Sequence, residues 1–156
     1  MNKNSSFFKK ILWLLLAWPR SVTEYFPWAG DLAARIIVGY VFMQTGWVKL
    51  NNLPQITENF IGLGIPFPHV LTPFVSAVEF IGGSALILGL FTRVFGAMLS
   101  GVMVVAIITA KLSDVDSLET LLGFEESAYL AIFFWLAVSG AGKISLDYFL
   151  QKKNNI

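Results

Sequence analysis

The 156-residue sequence contains no cysteine and a single histidine, His69. Without thiols the chain makes no disulfide, passes no thiol equivalents and holds no thiolate metal or iron–sulfur site. One histidine likewise excludes a bis-histidine haem or a histidine-rich metal site within one chain, so no metal ligand set is expected. Charge is scarce too. Asp, Glu, Lys and Arg make up 13% of the residues, against about 25% in a soluble domain, while 56% are hydrophobic. That balance points to a membrane protein, and the length to one domain. A net charge of +1 with no Lys/Arg run suggests no nucleic-acid partner.

Spanning a hydrocarbon core of about 30 Å takes about 20 helical residues. Four stretches qualify: Ala29 to Leu50, interrupted by Asp31, Arg35 and Lys49; about Val70 to Phe91; Val94 to Leu112; and about Glu126 to Gly142. The fourth is short, and its ends are expected to rely on snorkelling or local thinning. The expected fold is therefore all-α, a four-transmembrane-helix bundle over residues 29–150, followed by a short tail, 151–156. Residues 1–28 are read separately. The apolar core of "FFKKILWLLLAWPR", Ile11 to Trp18, is too short to span, and Trp18-Pro19-Arg20 is no small-residue cleavage site. An interfacial helix with Trp13, Trp18 and the lysines at headgroup level fits it better.

Four spans place both termini on one side. That side collects Lys3, Lys9, Lys10, Arg20, Arg93, Lys143, Lys152 and Lys153, whereas the other has Lys49 and Lys111 among Glu58, Asp114, Asp116, Glu119, Glu125 and Glu126. The positive-inside rule puts both termini in the cytoplasm. "FTRVFG" reads as a tight turn joining antiparallel neighbours. "NNLPQITENFIGLGIPFPH" is long, semi-apolar and broken by Gly62, Gly64, Pro66 and Pro68, and reads as a segment folded over the outer mouth. "SDVDSLETLLGFEE" reads as a short acidic surface helix capped by Ser117, with Thr120 a weak partner.

Within "AVEFIGGSALILGL" the sole charge is Glu79, and a lone carboxylate is costly in lipid. Arg35, Gly39, Phe42, Gly46 and Lys49 share one face of the first span, with Gln44 off that line. Glu79, Gly82/Gly83, Leu86, Gly89 and Arg93 form a similar face on the second. Small residues at such spacing let helices approach closely. Side chains lean towards their helix N-terminus, so Arg35 leans to the cytoplasm and Glu79 outward, from starting depths roughly 9 Å apart. Lys49 leans towards Glu79 and is its expected partner. Lys111 and Glu126 lie on the same outer side, and Gln44 and His69 are candidates to join them in a ligand pocket. A second cluster is expected at the cytoplasmic side, where Arg35 and Arg93 meet Asp31 and Asp147. Ser145 is placed to cap a final helix, and Gly140 and Gly142 to end the fourth span.

The combination of an arginine-bearing first span ending "GWVKL", then "GLGIPFP", "EFIGGSALILGLFTR" and "GAGKISLD" resembles the DoxX family over about residues 30 to 148. The resemblance implies a small four-helix protein of the bacterial inner membrane linked to redox pathways. Relatives serve as the membrane subunit of a thiosulfate:quinone oxidoreductase, and others accompany redox-maturation or stress-response systems. It transfers no catalytic residue.

For Lys49, Glu79, Lys111 and Glu126 two readings stand side by side. One is an ion-pair network that fixes helix register. The other is a polar pocket for a small ligand, such as a quinone headgroup or an oxyanion. Arg35, Arg93 and Asp147 read more simply as anchors of a terminus. Three function classes follow: a quinone-linked redox subunit that docks a soluble or membrane redox partner, a non-catalytic anchor or assembly protein, and a small-solute transporter. The chain carries no cofactor-binding motif, so electrons must be carried by a partner or by quinone. The transporter reading requires a homo-oligomer, because four spans without a broken-helix pair make a poor transporter monomer.

Overall fold

The computed structural model describes residues 3–17, 24–26 and 28–154, which contain eight α-helices and no strand. The chain divides into two compact units, residues 1–30 and 31–156. In the first, α1 (Lys3–Leu12) runs on as a π-helical stretch, Trp13–Ala17. Lys9, Lys10, Trp13 and Leu14 to Leu16 are exposed. Trp18, Pro19 and Arg20 lie outside the described residues.

The rest of the chain consists of α2 (Ala29–Asn51), α3 (Leu53–Gly62), α4 (Pro68–Leu88), α5 (Thr92–Ala106), α6 (Leu118–Gly123), α7 (Glu125–Ser139) and α8 (Leu146–Asn154). A π-helical stretch, Ile107–Lys111, and a 3-10 turn, Leu112–Asp114, extend α5. Two helical segments among the described residues are long and apolar enough to cross a membrane: Pro68–Leu88, with mean hydropathy 1.7, and Thr92–Asp114, with 2.0. Of the other two expected spans, α2 carries three charges and α7 is 15 residues long.

Glycines set how the long helices meet. A Cβ at Gly46 would lie 2.8 Å from the Ser76 carbonyl and press into the Phe80 backbone, and one at Gly83 would lie 2.6 Å from the Gly39 carbonyl. The backbones of α2 and α4 are thus in direct contact, running antiparallel, as small residues permit. α5 packs on α7 in the same sense, with Gly96 against Phe133 and Ala137. The core between these helices is Val38, Phe42, Val78, Leu86, Leu99, Met103, Phe133 and Leu136. Phe42 meets Phe133 and Tyr129 edge to face, with centroids at 4.7 and 5.2 Å, a preferred geometry for ring quadrupoles.

The turn between α4 and α5 is tight. Gly89 takes the left-handed conformation (φ 66°) that a side chain disfavours, and the Leu90 N–H donates to the Ala85 carbonyl at 2.9 Å. Ser117 caps α6 by accepting from the Thr120 N–H at 3.2 Å, and the Ser145 hydroxyl accepts from the Tyr148 N–H at 3.1 Å to cap α8. Gly140 (φ 87°) follows the last residue of α7.

Candidate ligand-binding site

At the end of the helices where α2 and α5 finish, two ion pairs form. Lys49 Nζ donates to Glu79 Oε1 at 2.7 Å, and Lys111 Nζ lies 3.8 Å from Glu126 Oε1. The first joins α2 to α4 and the second joins the end of the α5 segment to the start of α7. Glu79 is 2% exposed and Lys49 26%, so the pair is sunk in the packing with its ammonium end nearer the surface. The Lys111 ammonium also sits 5.4 Å from the centre of the Phe124 ring, within cation–π range.

Lys49, Glu79 and Glu126 share a cavity of about 690 Å³ whose walls are otherwise mainly apolar. That volume is in the range of small-molecule sites. α2 supplies Phe42 and Thr45, and α4 supplies Val75 and Val78 beside Glu79. The α2–α4 connection adds Phe60, Leu63 and Ile65. The segment expected over the outer mouth therefore forms part of the cavity wall, and its first half is the helix α3. The π-helical stretch contributes Thr109 and Ala110. The lining keeps helical spacing through it, from Val102, Val105 and Ala106 to Thr109 and Ala110; π turns are frequent at functional positions.

Each carboxylate keeps one oxygen to spare. Glu79 Oε2 and Glu126 Oε2 are both buried with no hydrogen-bond partner. An unsatisfied buried acceptor costs about 1–3 kcal/mol, so the cavity wall holds unused capacity to accept hydrogen bonds.

Gln44 and His69 stay apart from this group. Both are exposed, and neither lines the cavity. Gln44 lies off the α2 face that carries Gly46 and Lys49 into the packing. His69 follows Pro68 in the first turn of α4, nearly three turns from Glu79 along the helix. Thr45, Glu125 and Tyr129 do line the cavity. Thr45 precedes Lys49 by four residues and Tyr129 follows Glu126 by three, so helical spacing marks them. Thr109 follows Val105 by four and Val102 by seven, both of which line the cavity, so the same spacing reaches it.

At the opposite end Asp31 and Asp147 lie close enough to Arg35 to act on its charge, while the hydrogen bonds of this cluster go mainly to backbone. Asp147 accepts from the Phe91 and Thr92 N–H groups at 2.7 and 2.9 Å, and so caps the start of α5. Arg93 donates to the Ala137 and Ser139 carbonyls at 3.3 and 3.2 Å, and also to the Val138 carbonyl, closing the end of α7. Arg35 is 1% exposed and donates through Nη2 to the Ile144 carbonyl at 2.5 Å. Asp31 accepts from the Trp135 indole at 3.2 Å. No ion pair among the described residues joins Arg35 or Arg93 to Asp31 or Asp147. The reason is geometric: helix termini present unsatisfied N–H and C=O groups, and these lie nearer than the opposite charge.

A family model for DoxX matches residues 30–112. The chain belongs to the DoxX family. It is 27% identical over 124 residues to the inner membrane protein YqjF of Escherichia coli (strain K12), covering 80% of this chain and 94% of that one. It is 30% identical over 125 residues to CatD of Bacillus subtilis (strain 168), a candidate oxidoreductase by its name, covering 79% and 88%. It is also 30% identical over 148 residues to the membrane protein Rv3486 of Mycobacterium tuberculosis (strain ATCC 25618 / H37Rv), covering 88% and 90%. No solved structure matches. This DoxX protein is accordingly a membrane protein, and its cavity lies along helices long enough to cross lipid.

Proposed function

We propose that this DoxX protein is a four-span protein of the bacterial inner membrane, with both termini cytoplasmic, that binds a quinone-type headgroup in the cavity as the membrane subunit or accessory component of a redox pathway. The observation that carries this is a mostly apolar cavity of about 690 Å³ with the Lys49–Glu79 pair set into its wall. Its apolar lining suits a ring and its isoprenoid or alkyl chain. The polar residues that fix a headgroup are few, as in most small-molecule sites. Glu79 and Lys49 supply an acceptor and a donor within one cavity, which suits a group that exchanges protons as it exchanges electrons. Quinone supplies the two-electron redox chemistry when bound; the chain's own residues bind it, orient it and keep its surroundings dry. Electrons are exchanged with a partner protein. The naming of CatD as an oxidoreductase supports a redox setting.

The test is mass spectrometry of small molecules extracted from protein purified in mild detergent, wild type beside Glu79→Gln. A quinone present in the wild type and lost in the folded variant is the expected result. An empty wild type that binds no added quinone analogue in nanodiscs overturns the reading. A second reading, a membrane anchor that recruits other proteins without chemistry, draws on the exposed acidic residues Asp114, Asp116, Glu119 and Glu125 beside the cavity end. It is favoured if a partner co-purifies and its retention depends on those residues while the cavity stays empty.

A further inference from the structure

The cavity is walled unevenly. On the α2 and α7 sides the lining residues Phe42, Thr45, Glu126 and Tyr129 are buried or half-buried, and only Glu125, at the start of α7, is exposed. On the α4 and α5 sides several lining residues are exposed: Phe74 at 55%, Val105 at 51%, Met98 at 37%, and Gly101. Near their connecting turn the two helices are closely packed, and a Cβ at Gly82 would lie 3.2 Å from the Phe95 ring and 3.3 Å from Leu99. Further from the turn the cavity separates them. Gly101 sits close to the middle of the Thr92–Asp114 span, and a Cβ added there meets nothing within 4 Å. The gap thus opens at the depth of the hydrocarbon core, on a surface that faces lipid.

An opening at that depth admits molecules already dissolved in the bilayer and turns away charged ones, which are costly in hydrocarbon. Inside, the Lys49–Glu79 pair is already balanced, and the spare oxygen of Glu79 can only accept. A ligand that satisfies it must bring an O–H or N–H. A fully ionised oxyanion brings no donor, and adds a charge that the balanced Lys49–Glu79 pair does not offset.

We propose that the cavity takes its ligand sideways from the lipid, between α4 and α5 across Gly101, and selects an uncharged apolar molecule whose headgroup donates a hydrogen bond to Glu79. This rests on the cavity being the quinone-type site proposed above, and it assigns preference to the hydroxylated, reduced form of such a headgroup over the carbonyl form. The spare oxygen of Glu126 offers a second acceptor for the same kind of group.

The test uses the full-length protein in lipid nanodiscs, under anaerobic conditions, with three probes of nearly one shape: a decyl hydroquinone, its dimethyl ether and the corresponding decyl quinone. Affinity is read by equilibrium titration and association by stopped-flow tryptophan fluorescence. The hydroquinone is expected to bind at least roughly tenfold more tightly than the dimethyl ether, the cost of leaving a buried acceptor unmet. Gly101→Trp is expected to slow hydroquinone association about tenfold while Gly101→Ala leaves it unchanged, because only the larger side chain covers the gap. Equal binding of all three probes overturns the donor preference and leaves the quinone site standing. Unaltered association in a folded Gly101→Trp protein overturns the lateral entry; Val105→Trp serves the same purpose if that variant does not accumulate. Binding of none of the probes overturns the ligand-site reading and this proposal with it.

Discussion

The two ends of the helical unit handle charge in opposite ways. At one end Arg93 and Asp147 spend their hydrogen bonds on backbone groups that the ends of α7 and α5 leave unpaired, and Arg35 reaches the Ile144 carbonyl while its Nε and Nη1 stay buried without a partner. At the other end side chains pair with side chains, Lys49 with Glu79 and Lys111 with Glu126, and each carboxylate keeps a buried oxygen without a partner. The first arrangement completes the helices. The second leaves binding capacity beside a cavity. The charges of the helical unit are therefore not one class: those at the first end hold the chain's turns together, and those at the second end are candidates for chemistry.

The largest effect expected from breaking this comparison is at the capping end. Asp147→Ala removes the acceptor for two backbone N–H groups at the start of α5, and should lower stability by about 2–3 kcal/mol, the scale of hydrogen bonds to a charged group. Thermal unfolding in a fixed detergent measures it. Ligand content per folded molecule should not change. If Asp147→Ala instead empties the cavity without loss of stability, the division between the ends fails.

The mirror experiment is Glu79→Gln. The amide keeps the size and one acceptor but loses the charge opposite Lys49. Lys49 is 26% exposed, so its ammonium can turn towards the surface. Folded protein should accumulate close to wild-type levels while quinone-analogue affinity falls by roughly tenfold or more. Should the protein fail to accumulate, and should Glu79→Gln with Lys49→Met restore it, the pair is architectural, since an apolar replacement of a buried ion pair is often neutral or stabilising. A third, smaller effect belongs to the capping end. Arg93→Lys exchanges a planar fork spread over three carbonyls for a single ammonium, and should cost about 0.5–1 kcal/mol, read by the same unfolding measurement.

What the sequence made legible follows the same division. The Lys49–Glu79 pair was readable because helical side chains lean towards the N-terminus, and that lean decides against Arg35 as the partner. The caps at Ser117 and Ser145 were readable because they depend on a hydroxyl beside its own helix. The Arg93 and Asp147 contacts were not, because counting charges overlooks the backbone groups at helix ends, whose positions depend on where α5 starts and α7 stops. Gln44 and His69 were placed near the pocket by depth alone, and depth says nothing about which side of the helix a residue occupies. The π-helical stretch at Ile107–Lys111 has no sequence signal at all: it lies within an apolar run.

The smallest expected effect lies outside the lipid, on the acidic surface before α6, and it tests whether a charge near the cavity end can act as a local cap. Asp116 is fully exposed, and its carboxyl is held below its ordinary value of 3.8, chiefly by the Thr120 hydroxyl that donates to it, with backbone hydrogen bonds adding to this. The sign follows from the direction: a carboxylate with a lowered folded pKa contributes stability that is present above its unfolded value and is lost as pH falls through the folded one. Any contribution to the α6 turn is therefore constant from neutrality down to about pH 4 and disappears only below it. Carboxyl carbon NMR titration of Asp116 should show the depressed midpoint, and Thr120→Val should move it back up towards the ordinary value. The α6 cap uses the Thr120 backbone N–H, which donates to the Ser117 hydroxyl, so it survives that substitution, and α6 should remain helical. A midpoint that stays where it is in Thr120→Val would assign the depression to the backbone of residues 116 and 117, and would make this end, like the opposite one, a place where backbone rather than side-chain partners set the behaviour of a charge.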